Sequence, residues 1–518
     1  MNPALPRRWK VAILSAAAFA FLLKILLALN TWGTNDVYAW ERFARWSALF
    51  GSRLYAIDPA FNHPPSMIHA LALMTWLAKT TGIFFPFWLR LPAIIADTAS
   101  LWVISRIFSA RFDEPLVRWG LLLVAISPTL ILVSGFHGNT DPVVMFFVLL
   151  SVWLTQDEVG KGDTADWSSG AAFGAAMCVK VLPLIVLPVL FFYRPGLRRR
   201  AIFLAAAGAV MIVCWSPYLF MDPLAIYHQV IGYQSLYGHW GLPWLAYHAA
   251  FFRDEWHDVF QRYGADLVLG VIALAAWMIN RRPEKPTLYT QTGAALFFFL
   301  AAANGFGVQY LAWLVPWTVG VGIIPVAFFS IASGAFLFAV YNFWCGGLPW
   351  YLADSNYVGD FSGHIDYLLV VCWISVIVLA FAVWMRRPSF ATLRTRILLS
   401  VLAIPLVAYP LWNQVVHVDA RTYPPAEDHV ALNRIHAHEY AMLSQVYFRM
   451  DRHTDAVVAA RTGVALDPKL LDVWNSLAEA CIQLARWDEA LNAANNAVMI
   501  APEDETANAN LREVLARR

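Results

Sequence analysis

Two carboxylates stand just where the first apolar run of this chain surfaces: Asp36 and Glu41, within "LNTWGTNDVYAWERFARW" at 29–46. The run ahead of them, "VAILSAAAFAFLLKILLALN", is long enough to cross a bilayer. Asp36 therefore lies at the depth of a membrane surface, beside Trp32 and Trp40. A carboxylate there has two readings. It is either a helix-end or turn residue in a wet loop, or a general base that takes a proton from a hydroxyl as that oxygen attacks an electrophilic carbon.

The elements that position it are membrane helices. With 59% hydrophobic and 14% charged residues over 518, the chain has too many long apolar runs for a soluble core, and it reads as all-α and polytopic. Expected spans are 11–30, 90–110, 119–137, 142–155, 169–180, 182–193, 201–221, 264–280, 289–304, 308–323, 325–345, 365–385 and 397–413. The pair at 169–193 is expected to be a hairpin of short helices turning at Lys180 to Pro183. Basic clusters at 7–10, 106–118, 194–200, 280–285 and 386–396 orient their loops toward the cytoplasm. Thirteen crossings then put the termini on opposite sides, and leave the aromatic loops 31–89, 222–262 and 346–364 on the outer face. Within the first of these, "VYAWERFARWSALF" and "PPSMIHALALMTWLAKTTG" have the spacing of helices lying in the interface plane. The first run is preceded by "PRRWK" but followed by no small-x-small cleavage site, so it is read as a retained anchor. The five cysteines are scattered without a CxxC, and imply neither a zinc site nor a disulfide framework.

Beyond residue 413 the composition turns polar. Residues 1–413 are expected to form the membrane domain, 414–431 a linker stiffened by Pro424 and Pro425, and 432–518 a helical repeat. "LSQVYFRMDRHTDAVVAARTGVALDP" from Leu443 aligns with "LAEACIQLARWDEALNAANNAVMIAP" from Leu477 at an offset of 34 residues, with Ala456 over Ala490, Ala460 over Ala494 and Pro468 over Pro502. That period resembles the tetratricopeptide repeat, whose stacked hairpins present a groove to a protein partner. The topology places it outside the cytoplasm.

At the depth of Asp36, one substrate class suits a lone carboxylate. A lipid phosphate is a good leaving group from an anomeric carbon, so one base suffices for direct inverting displacement by a sugar hydroxyl; the acid partner of a two-carboxylate glycosidase becomes dispensable. The run "GTNDVYAWERF" resembles the first outer loop of the GT-C superfamily, the membrane glycosyltransferases that use polyprenyl-phosphate-linked sugars. Four further pieces follow in order. "FNHPPSMIHAL" at 61–71 resembles the Tyr-Pro-Pro stretch of the dolichyl-phosphate-sugar glucosyl- and mannosyltransferases, with His63 in place of Tyr. "FHGNTDPVVMFF" at 136–147, "VKVLPLIVLP" at 179–188 and "GVQYLAWLVPW" at 307–317 resemble its later segments. The likeness covers most of 10–385 and extends to bacterial glycosyltransferases of family 87. Loops 222–262 and 346–364 have no counterpart.

The resemblance implies roles for individual residues. Asp36 takes the part of base, with Glu41 second because a helix turn brings it to the same side. Lys180 neutralises the lipid phosphate as a point charge, or else snorkels to the interface. His137, Asn139 and Asp141 line the donor pocket, or form a turn and cap. His63, Gln309 and Tyr310 contact sugar or phosphate. Arg90 and Asp97 lie seven apart on one helical face, for substrate or for structural pairing in the bundle interior. His228, His239 and Trp240 face the acceptor or belong to an aromatic belt. No D-x-D stands in the first loop, so no metal or other cofactor is expected.

The function expected is transfer of one sugar, a hexose, from a polyprenyl phosphate to a lipid, glycan or protein acceptor outside the cytoplasm, with no nucleic-acid partner. Plain loops and the lack of an organellar retention signal suggest a bacterial inner membrane. Two other classes are a transporter or flippase of lipid-linked sugars, for which no inverted repeat of broken helices is seen, and a non-catalytic scaffold recruiting partners through its repeats.

Overall fold

The computed structural model describes residues 4–156, 162–216, 218–233, 240–241, 243, 255–303, 305–354, 364–385 and 425–518. The chain divides into two compact units, 1–419 and 420–518. The first is a bundle of helices. In chain order these are α1 (Arg7–Asn30), α2 (Asn35–Phe50), α3 (Ser66–Thr81), α4 (Phe85–Ile107), α5 (Pro115–Ala125), α6 (Pro128–Leu132), α7 (Asp141–Leu154), α8 (Asp163–Val179), α9 (Leu187–Tyr193), α10 (Leu197–Trp215), α11 (Glu255–Asn280), α12 (Leu288–Ala302), α13 (Ile323–Trp344) and α14 (His364–Met385).

Six stretches among the described residues are long and apolar enough to cross a membrane: Arg7–Asn30, Phe85–Ile107, Pro115–His137, Gln261–Asn280, Ile323–Trp344 and Ile365–Val383. Helices Asp141–Leu154 and Leu288–Ala302 are apolar but shorter. At a rise of about 1.5 Å per residue α1 is about 36 Å long, enough for the hydrocarbon core. Its outward face is bare apolar side chain, whereas Ile13, Ala20, Lys24 and Ala28 form the stripe turned inward.

The expected hairpin at 169–193 is present as a turn. Helix α8 ends at Val179, Lys180 is extended, and a 3-10 turn over Leu182–Ile185 leads into α9. Pro183 and Pro188 lack the N–H that a continuous helix needs. Helices α8 and α10 pack with backbones nearly touching, through Gly170 and Gly174. A Cβ on Gly170 would run into the Phe203 carbonyl, and one on Gly174 would sit 2.6 Å from the Ala207 carbonyl. This is the small-x-x-x-small contact of membrane helices, where close approach substitutes for a hydrophobic driving force. Gly170→Leu is expected to cost about 3 kcal/mol or more through overpacking, read as a loss of thermal stability in detergent; an unchanged melting temperature would mean the two helices do not meet there.

One expected span is corrected. Residues 308–323 do not form a membrane helix but two 3-10 turns, Val308–Trp313 and Val315–Trp317. Pro316 interrupts the helical ladder, and the Tyr289 hydroxyl donates to the Pro316 carbonyl at 2.7 Å. Irregular backbone is tolerated because this segment is enclosed by protein, with Trp313 and Trp317 nearly inaccessible. The expected span 397–413 lies outside the described residues.

A two-residue parallel pair ties distant loops together. Strand β1 (Gly33–Thr34) pairs with β2 (Leu352–Ala353), Gly33 opposite Leu352 and Thr34 opposite Ala353. The Tyr351 carbonyl also accepts from the amides of Trp32 and Gly33, at 2.8 and 3.1 Å. Trp240, an acceptor candidate by sequence, is instead buried: it stacks on Phe306 at 4.1 Å and donates to the Leu300 carbonyl at 2.7 Å. His228 is exposed, and His239 lies outside the described residues.

The second unit is five helices, α15 (Pro425–Arg449), α16 (His453–Leu466), α17 (Leu471–Gln483), α18 (Trp487–Ile500) and α19 (Glu505–Arg517). Helix α15 begins within the segment read as a linker. The 34-residue offset is repeated in the backbone: Asp451 and Ala485 both have positive φ, 56° and 52°. The next amides, of Arg452 and Arg486, bond to the carbonyls of Tyr447 and Cys481, each at 2.9 Å. Ala456, Ala460, Ala490 and Ala494 are fully buried, as close helix packing requires.

Candidate active site

Asp36 sits in the first turn of α2, where the unpaired amides of a helix N-terminus favour negative charge. The face carrying Val37, Trp40, Phe43, Ala44 and Ser47 is buried, so the register of α2 is set by packing. The groups that meet its carboxylate come from between α6 and α7. There the chain makes a π-helical turn over Val133–His137, followed by Gly138 with φ +82° and then Asn139. Gly138 is required twice over, by its left-handed backbone and because a Cβ would strike the Val37 side chain.

His137 Nε2 lies 3.1 Å from Asp36 Oδ2, and Asn139 Nδ2 donates to the same oxygen at 3.1 Å. Asn139 is locked in turn, its Oδ1 accepting from the Thr140 amide at 2.6 Å. The Thr34 hydroxyl donates to the His137 carbonyl at 2.8 Å, joining the two segments. Both side-chain bonds use Oδ2, and Oδ1 has no partner among the described residues. The Asp36 side chain is 36% exposed, against 4% for His137. Enclosure on the remaining sides works to raise its carboxyl, but the bond and charge of His137, the charge of Lys180 and the bond from Asn139 outweigh it. The carboxyl is held below its ordinary value of 3.8.

A second cluster lies behind the first. Asp141, at the start of α7, is fully buried. Its oxygens face Lys180 Nζ at 3.0 and 3.2 Å, and Oδ1 also accepts from Trp313 Nε1 at 2.6 Å. Lys180 lies over the Tyr310 ring at 5.5 Å, and Tyr310 stacks on Trp313 at 4.0 Å. The side chain of Gln309 folds back over Gly307 and is half-buried.

His63 occupies the third side. Its ring stacks on Trp40 at 4.1 Å, its carbonyl accepts from the Tyr55 hydroxyl at 2.6 Å, and its Nδ1 is buried with no partner among the described residues. Burial, then the charge of Lys180, drives the imidazole down to about 3, with Asp36 pulling the other way. His63 is therefore neutral at physiological pH. Between about pH 3 and the ordinary value of 6.5 the unfolded chain binds a proton that the folded chain refuses, so this residue makes stability fall on acidification, by about 1.4 kcal/mol per pH unit at most. His63→Phe should flatten that part of the stability profile relative to wild type; identical pH profiles would show that folding leaves the His63 imidazole unshifted.

The sequence-derived candidates thus fall into distinct places. Asp36, His137 and Asn139 are in direct contact; Asp141, Lys180 and Tyr310 form the adjoining group. Lys180 does not snorkel outward but is paired inside. Glu41 lies one turn further along α2 and faces Arg45 at 3.8 Å. Arg90 is corrected as a substrate ligand. It is fully buried, and its five N–H groups all go to protein: Nε to the Pro86 carbonyl, Nη1 to Thr31 Oγ1 and the Gly135 carbonyl, Nη2 to the carbonyls of Thr31 and Trp32. Nor does Asp97 pair with Arg90; its partner is Lys24, at 2.5 Å. Two contributors were given no role of their own in the sequence. Trp313 stood only as part of the run "GVQYLAWLVPW". Tyr341, whose ring lies 5.6 Å from His137 and whose buried hydroxyl has no partner among the described residues, sits within the apolar run of α13 and carries no local signal.

Residues 61–303 match glycosyltransferase family 87. The match takes in His63, Arg90, His137, Asn139, Asp141 and Lys180, and leaves Asp36, Glu41, Gln309 and Tyr310 outside it. It supports a membrane glycosyltransferase. No curated protein matches the chain. Among solved structures, ArnT from Cupriavidus metallidurans in the apo state is similar with a TM-score of 0.41 and 16% identity, over 78% of this chain and 78% of that one.

Proposed function

From the match to a glycosyltransferase family and the geometry around Asp36, we propose that this protein transfers a single sugar from a polyprenyl phosphate to an acceptor hydroxyl, with inversion at the anomeric carbon. The observation that carries the mechanism is the division of labour on one carboxylate. His137 and Asn139 hold Oδ2, while Oδ1 of the partly exposed side chain has no partner among the described residues and is the oxygen left to meet an acceptor. In the proposed step the acceptor oxygen bonds to the anomeric carbon as its proton passes to Asp36 Oδ1. The bond from that carbon to the phosphate oxygen breaks, and its electron pair leaves with the polyprenyl phosphate. A base held below its ordinary pKa removes the proton late, once the attacking oxygen has become acidic through bond formation. Orientation of the hydroxyl is then the larger part of its task.

Lys180 directs two hydrogen bonds at Asp141 and its charge still acts on Asp36, where in this reading it offsets developing charge on the leaving phosphate. His63, neutral, and the Tyr341 hydroxyl supply uncharged polar contacts suited to sugar hydroxyls. In this reading no metal takes part, the cleft opens outside the cytoplasm, the protein is bacterial and sits in the inner membrane, and the helical repeats of 432–518 hold a protein partner or present the acceptor.

The test is sugar transfer by purified protein in nanodiscs with a panel of labelled polyprenyl-phosphate monosaccharides, membrane extract as acceptor, and Asp36→Asn in parallel. Consumption of one donor by wild type and not by the variant is the expected result. No consumption of any donor overturns the reading, and loss of turnover in EDTA restored by a divalent ion overturns its metal-free form.

A further inference from the structure

The π-helical turn that aims His137 and Asn139 is an unfavoured backbone form, and it is braced from behind by a buried ionic cluster in the bundle. Lys24 of α1 meets Asp97 of α4 at 2.5 Å, and the Ser134 hydroxyl, inside the turn, donates to the same Asp97 oxygen at 2.7 Å. Lys24, Asp97 and Ser134 are 5%, 7% and 0% exposed. The bond that closes the turn, from the Gly138 amide to the Val133 carbonyl, is long at 3.4 Å. The turn ends the helix that begins at Pro128, and the chain leaves it through left-handed Gly138. The residue after Ser134, Gly135, presses its backbone against α1, where a Cβ would sit 3.0 Å from the Lys24 Cα, and its carbonyl accepts from Arg90 at 2.9 Å.

We infer that Lys24, Asp97 and Ser134 are positioning residues. Their cluster fixes the π turn so that His137 Nε2 and Asn139 Nδ2 converge on a single oxygen of Asp36. The charge pair is otherwise a poor source of stability in an apolar interior, since well-packed apolar side chains commonly serve as well or better. What it offers beyond an apolar pair is the acceptor for Ser134. The cluster touches no substrate, and its effect on turnover rests on the proposed role of Asp36.

Two variants test this. Ser134→Ala removes the link with least disturbance. Lys24→Met combined with Asp97→Leu removes both charges together, avoiding the unpaired buried charge that either single change leaves. Each is compared with wild type by thermal stability, by deuterium uptake at residues 133–139 and by transfer kinetics. In a protein that stays folded, the expected result is faster exchange confined to the turn and a kcat lowered about 10- to 100-fold, the scale of a misplacement of about 1 Å, with donor KM changed far less. A folded double variant with wild-type exchange at 133–139 overturns the brace, and one with faster exchange but wild-type kcat overturns its positioning role. If wild type transfers no sugar, the proposed function fails, while the exchange measurement still decides the brace.

Discussion

Asp36→Asn is expected to lower sugar transfer by about 10²- to 10⁴-fold, the range a positioned general base contributes, while the protein folds and binds donor as before. The substitution is close to isosteric and the local bonds survive it. Asn139 Nδ2 needs only an acceptor, which the new amide oxygen provides, and His137 in its Nε2–H tautomer donates to that same oxygen. What disappears is the charge and the capacity of the second oxygen to take a proton. Turnover and donor-induced thermal stabilisation measured on the same preparation separate these effects. Near wild-type turnover in the Asp36→Asn variant would remove Asp36 from the chemistry and return it to the end of a helix. In wild type, a carboxyl held below 3.8 stays ionised throughout the neutral range. No loss of kcat/KM from protonation of Asp36 is therefore expected between about pH 5 and 8. An acid limb centred near about pH 6 would show that another group, or a substrate-raised Asp36, controls the rate.

The second large effect is expected at Lys180. In Lys180→Met the Asp141 carboxylate, fully buried, keeps the Trp313 indole as hydrogen-bond partner but loses its counter-charge. Breaking a buried pair by removing one partner costs about 3–5 kcal/mol, so the variant should melt well below wild type. Lys180→Met with Asp141→Leu should recover much of that stability, because no uncompensated charge remains. It should not recover transfer, because the positive charge near Asp36 and the leaving phosphate is still missing. Full activity in a stable double variant would show that Lys180 serves only to neutralise Asp141. Lys180→Arg keeps the charge but replaces a compact ammonium with a planar fork, so partial turnover is expected.

The membrane helices were legible because bilayer length and apolar composition are one-dimensional properties, readable along the chain without knowing any partner. The same holds for the 34-residue repeat, whose small residues recur at fixed intervals and whose turn recurs in the backbone at Asp451 and Ala485. Apolar composition failed at 308–323, where a helix and an enclosed pair of 3-10 turns look alike until Pro316 and the Tyr289 hydroxyl are seen together. It also could not reveal β1 and β2, two residues each, because a pairing so short leaves no periodicity.

The chain by itself determined that an acid surfaces beside the first membrane helix and that His137, Asn139, Asp141 and Lys180 lie at helix ends, since these follow from hydropathy and residue type. Only the tertiary structure decided who faces whom. A carboxylate and a cation at a helix end look the same in sequence whether they meet a ligand or each other. Three-dimensional packing sent Arg90 to acceptors of the protein itself, Lys180 to Asp141 and Asp97 to Lys24, and left Asp36 Oδ1 without a partner among the described residues. The physical reason is that charge buried in an apolar bundle must be satisfied by whichever groups the fold brings within hydrogen-bond reach, and those partners lie far away along the chain.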